Sequence, residues 1–393
     1  MMRRMSRCGL MGVAFLALLA VAQTASALTL SDFVIFSGGG GWPTDSGYET
    51  AIGGHTTVNG NIGSNQDLFM QGNPLPGYPA QLNGSAYAGG NLTFGQDLTV
   101  GSSSGPLREV VANGAASIGG GANIYGNLYG NSVTLGQSTG IRQVGGVGGN
   151  VQYTTSYTPT GTSVVEGSVS SPSTKTFSLI TMPTPTSFTA GGTNQTVPSG
   201  QGSSLTLAPG TYGALSTSAQ NQTVILSSGN YYFDSINAVG GFTLQVDLTA
   251  GQPVNIYSVG LAQFGQNNTL MVKGAGTGGI YVPISAAPSL AALIYLETHN
   301  RFVMGGATSN DHSIWGGTVY STLVDSGSSA EVSIGQYMDW YGAVFARDSF
   351  DAADHGFWNL VPLGTPVPIP AAVWLFGSGL AGLVGIGRWR KRK

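Results

Sequence analysis

The chain has 393 residues, 63 of them glycine, and only 14 basic and 17 acidic residues, for a formal net charge of −3. Glycine at that density weakens helices and fills no core, which excludes a compact helical enzyme, while an apolar share of 41% excludes a chain kept unfolded by its own charge. What remains is an all-β chain of many short strands joined by turns.

Residues 1–27 predict a secretory signal peptide. Arg3, Arg4 and Arg7 precede an apolar run from Leu10 to Ala22, and the small residues Ala25 and Ala27 stand just before Leu28, the expected first residue after cleavage. The single cysteine, Cys8, leaves with that segment, so disulfides and thiol chemistry contribute nothing to the remainder.

A first β-rich region is predicted over 28–152 and a second over 200–359. An apolar-polar-apolar triplet followed by Gly-Gln occurs at Leu92–Gln96, Val133–Gln137, Ala262–Gln266 and Val332–Gln336. Alternation with period two places the outer residues of each triplet on one face, and the glycine permits a sharp turn. Ile256-Tyr257, Ile280-Tyr281, Ile294-Tyr295, Val319-Tyr320 and Val344-Phe345 recur at steps of 24, 14, 25 and 25 residues. Units of that size cannot bury their own apolar face, so they predict a glycine-rich β-solenoid, or β-helix, whose coils stack; a β-sandwich is the alternative. Residues 153–199, rich in Ser, Thr and Pro, read as an extended connection, and 360–366 as a short spacer. In the order of its parts the body resembles the β-helical surface domains grouped as choice-of-anchor A. Val58-Asn59-Gly60-Asn61-Ile62-Gly63 resembles the opening of bacterial ice-binding β-solenoids.

Residues 367–393 combine Val367-Pro368-Ile369-Pro370-Ala371, Trp374, an apolar stretch to Gly387 and five cations after it. Seventeen helical residues span about 25 Å, nearly a bilayer core, which predicts a single transmembrane helix with its basic end in the cytoplasm. The segment resembles the PEP-CTERM sorting signal, with Ile369 where the namesake motif has glutamate. That resemblance implies cleavage near the prolines by an exosortase, after signal peptidase has acted at the other end. It also implies export across the inner membrane of a Gram-negative bacterium to the cell surface or beyond. A permanent single-span anchor is the simpler alternative. Without its two ends the body keeps six basic and all 17 acidic residues, a net −11, which excludes a nucleic-acid partner.

Groups able to do chemistry are few. His55 stands alone among glycines. Glu297, His299 and Arg301 share one face of a strand and read as a solvated ladder, while Asp311-His312 and Asp354-His355 point to opposite faces if extended. Asp348, Asp351 and Asp354 could line a calcium site of oxygen ligands, or form a solvated loop; no other cofactor is implied. Tyr337, Trp340, Tyr341 and Trp358 are candidates for stacking on sugar rings, or else core aromatics. No Walker loop, nucleophile elbow or zincin motif occurs. The expected function is therefore non-enzymatic: a cell-surface or matrix protein associated with exopolysaccharide or biofilm. The alternatives are a β-helical polysaccharide lyase or hydrolase using Asp311, Asp348 and Asp351, and an ice-binding or adhesin protein.

Overall fold

The computed structural model describes residues 28–39, 48–72, 80–323 and 331–363. The described residues form an almost all-β fold with a large, largely parallel sheet of 36 strands, and their only helices are three short 3-10 segments. This corrects the fold class expected from sequence. None of the described residues belongs to a helix long and apolar enough to cross a membrane. The signal helix and the transmembrane helix were read on 1–27 and 367–393, which lie outside the described residues, as do Ala25, Ala27, Val367, Pro368, Ile369, Pro370, Ala371 and Trp374. The reading of a membrane-held protein processed by signal peptidase and exosortase, with its location and partners, finds no support and is not carried further.

Each turn of the chain lays down strands on three faces, and the strands pair in parallel with their counterparts one turn away, except Val147–Gly148 and Val282–Pro283, which pair antiparallel. On the second face, Leu68–Met70 pairs with Leu92–Phe94, which pairs with Ala115–Ile118 at a constant step of 24 residues. All four triplets before Gly-Gln lie on this face. Their glycines are required by close approach and not by a special turn. A Cβ built on Gly95, Gly136, Gly265 or Gly335 would come within 2.1, 2.5, 2.4 or 2.1 Å of a backbone nitrogen in the adjacent coil. Gly95→Ala must push two coils apart and is expected to cost about 1–3 kcal/mol, measured by urea unfolding; an unchanged midpoint would contradict this contact.

The order of stacking is not the order of the chain. From Phe33 the coils advance outward to Val169–Ser170 at one end of the stack. Residues 171–190, which contain no regular element, then run back along the first face to the far end. Strands resume at Gln195–Thr196 and advance inward until the last coil docks on the first: Ile35, Phe36 and Ser37 pair with Val344, Phe345 and Ala346. The two β-rich regions are thus joined by a parallel ladder across the middle.

The returning segment acts as a strap. Asn113 and Asn65 each offer a side-chain amide that exchanges two hydrogen bonds with the strap backbone, at Phe177 (2.9 and 2.8 Å) and Ile180 (2.8 and 2.8 Å). Beneath it an in-register column runs Tyr232, Tyr257, Glu297, Tyr320, Phe345 and Phe36. Phe177 and Phe188 of the strap pack on these rings. Glu297 is consequently 1% exposed, where the sequence reading made it part of a solvated ladder. Its carboxylate accepts from Thr186 N–H (2.6 Å), Thr186 Oγ1 (2.7 Å) and Tyr295 OH (2.8 Å), and His299 Nε2 lies at 3.1 Å, so the buried charge is fully surrounded. The irregular step at Ile280-Tyr281 has a simple cause: that pair sits on an excursion between Lys273 and Ile294, off the ladder.

Candidate functional site

Two features of the surface stand apart. The first is the outward row of the second face, where the middle residue of each short strand points away from the core. In register it runs Thr158, Thr134, Ser117, Thr93, Phe69, Ala51, Asp351, Ser333, Val303, Gln263, Asn237, Ser216 and Thr196. At about 4.8 Å per coil this is a straight row roughly 58 Å long. Seven of its 13 side chains carry a hydroxyl and one carries a charge; at the seam Ala51 is 3% exposed and Phe69 is stacked by Tyr48, so the row presents two nearly neutral, rigidly spaced stretches on either side of the seam.

The second is the corner that follows this face. Four residues beyond the outward one, the chain turns with positive φ at Asp97 (55°), Gly121 (73°), Ser138 (60°), Gly241 (72°) and Asn267 (57°). These residue types tolerate the left-handed region. In three adjacent coils at the central seam the same position holds larger side chains, His55 (56°), His355 (62°) and Tyr337 (55°). Their rings stack: His55 on His355 at 4.5 Å with 5° between planes, and Tyr337 on His355 at 4.5 Å. His312 joins from the next coil, 5.6 Å from Tyr337, with Nδ1 3.0 Å from Asp339 Oδ1. Asp354 Oδ1 accepts from Gly54 N–H at 2.7 Å, and His355 N–H donates to Gly54 O at 2.9 Å, which fixes the last coil against the first. Burial, followed by the neighbouring His55, holds the His355 imidazole below the ordinary histidine range, while Asp354 opposes the shift.

The candidates named from sequence are dispersed. Trp340 and Trp358 are 0% and 1% exposed and stack on each other in the core at 5.5 Å, where neither presents a face to a sugar. Tyr341 is half-buried against Phe357 and points away from them, and Tyr337 belongs to the corner. Asp348 is buried, Asp351 lies on the outward row and Asp354 at the corner, so the three carboxylates form no calcium cradle. Asp311 sits in a tight bridge with Thr308, apart from both. Leu28 packs beside the aromatic column of the first face.

What sequence reading missed is the convergence of His55 with His355. A frame was available to find it: an apolar residue, the corner residue three later and an apolar residue three after that. It fits Ile52-His55-Val58, Ala352-His355-Trp358 and Ile334-Tyr337-Trp340, just as it fits Phe94-Asp97-Val100 and Phe264-Asn267-Leu270.

No family model matches the chain. No curated protein matches it either. Among solved structures the chain is similar to an ice-binding protein from an Antarctic bacterium of the Flavobacteriaceae, at 12% identity and a TM-score of 0.23, over 87% of this chain and 100% of that one. A score that low carries no argument about function.

Proposed function

We propose that this is a non-catalytic binding protein whose second face docks flat on an ordered, water-rich surface, ice being the first to test. The observation that supports the reading is the outward row, 13 positions in parallel register with a single charge among them, whose hydroxyl-rich stretch lies to one side of the seam where Ala51 is buried. A rigid row of hydroxyls and methyls about 4.8 Å apart has a repeat of the same size as that of oxygens in ice planes, and its side chains are already ordered, so little entropy is lost on contact. The carboxylates offered for sugar cleavage stand in three different settings, Asp311 in a bridge with Thr308, Asp348 buried and Asp351 on the outward row, which favours binding over a lyase or hydrolase.

Thr158, Thr134, Ser117 and Thr93 form the longest run of hydroxyls and carry the contact. The protein is expected to shape growing ice crystals and hold them below the melting point. Thr134→Tyr, which raises a bulky ring above the plane, is expected to reduce that effect at least tenfold with the unfolding midpoint unchanged. Ordinary round crystals grown in the presence of folded wild-type protein would sink the reading, as would full activity in the tyrosine variant.

A further inference from the structure

We propose that His55, His355 and Asp354 form a binding site for one divalent first-row transition-metal ion, such as zinc, which clamps the first coil of the stack to the last. Their ligand atoms lie within 4.8 Å of one another, and all three residues are half-buried, accessible to an ion yet held in place. They make up the one group of three or more potential metal ligands among the described residues. Two imidazoles and a carboxylate are the nitrogen and oxygen donors that zinc accepts, and three protein ligands leave a fourth position for water.

The geometry requires the two imidazoles to reorient. A tetrahedral site with bonds of about 2.1 Å sets ligand atoms roughly 3.4 Å apart, so the ligand atoms, within 4.8 Å of one another here, must draw together and the two stacked rings must turn out of parallel. Outer contacts are already in place. Gly54 N–H holds Asp354 Oδ1, and the Tyr337 ring backs His355.

A second observation is the placement of the histidines. Corners of this type elsewhere in the stack use Gly, Asn, Asp or Ser, yet here two histidines 300 positions apart in sequence both occupy the left-handed region and meet face to face. Three of the four histidines in the chain stand in this one aromatic column.

The test uses the full chain without an affinity tag. Zinc chloride is titrated by calorimetry, and cobalt(II) by its visible absorption. One equivalent is expected to bind, with tetrahedral cobalt bands, and to raise the unfolding midpoint. His55→Asn and His355→Asn keep a residue that this corner accepts at Asn267, so both variants should fold. Each is expected to weaken binding at least a hundredfold and to abolish the metal-induced shift in midpoint, whereas His299→Asn, away from the corner, leaves both unchanged. Absence of stoichiometric binding to the folded wild type overturns the proposal, and so does equal binding by the two corner variants.

Discussion

Trp340→Ala is expected to destabilise the protein by about 3–5 kcal/mol, the range for removing a fully buried tryptophan. Trp340 is 0% exposed and stands in register between Trp315 and Trp358, while Trp358 pairs with Val58 of the first coil. Its ring stacks on Trp358 and meets the edge of Phe302 at 6.1 Å and 82°. The cavity would therefore open beside the seam where the two halves of the stack join, with rigid sheet on every side and little freedom to collapse. Repeat stacks lose cooperativity when one interface is weakened, so guanidinium unfolding should separate into two transitions, where the wild type shows one. Trp340→Phe should cost far less. The indole Nε1 has no hydrogen-bond acceptor among the described residues, and phenylalanine removes that buried donor while keeping most of the ring. A single transition in the alanine variant, with the wild-type midpoint, would refute the role of the seam.

The second large effect is a dependence on pH. Glu331 is 0% exposed and its carboxyl is pushed up to about 8, chiefly by burial, with a further rise from the charge of Asp348 and opposition from the Asp348 N–H that donates to its Oε2 at 2.5 Å. In the unfolded chain the group titrates near 4.5. Folding thus favours the neutral acid. The stability this provides is complete below about pH 4.5 and is lost as pH rises through about 8, where the folded protein must ionise a buried carboxyl. At 1.36 kcal/mol per unit, the loss is on the order of a few kcal/mol. Glu331→Gln, neutral at every pH and nearly the same shape, should flatten the profile between pH 5 and 9, taken from urea midpoints, and should be the more stable protein at the alkaline end. Parallel profiles for the two proteins would show that the carboxyl is already charged in the fold.

Much of the local structure can be read from sequence because its determinants are local. Leu92-Thr93-Phe94 and Val332-Ser333-Ile334 are strands with their outer residues buried, as alternation requires. The excursion carrying Ile280-Tyr281 breaks the step that the neighbouring strands keep. What sequence does not disclose lies in contacts between distant positions. Phe36 pairs with Phe345, and no periodicity within either half indicates that the second half is laid down toward the first. Asp354-His355 would oppose its side chains if extended; a φ of 62° at His355 makes it a corner instead, and brings it to His55. Glu297 looks exposed until the strap, more than a hundred residues earlier, is placed over it. Apart from Leu28, the sorting and cleavage residues lie outside the described residues, and the aromatic candidates divide between core and corner because neighbouring positions on a strand face opposite ways.

The central ladder of Ile35, Phe36 and Ser37 with Val344, Phe345 and Ala346 also has a mechanical meaning. In a stack wound in simple chain order, the two termini lie at opposite ends and tension peels off one coil at a time. Here Leu30 and Leu363 line the same small cavity at the waist, and both outer ends of the stack are internal stretches of chain. A pull between the two ends of the described chain therefore bears first on the middle seam, and until that seam parts neither outer end feels the load.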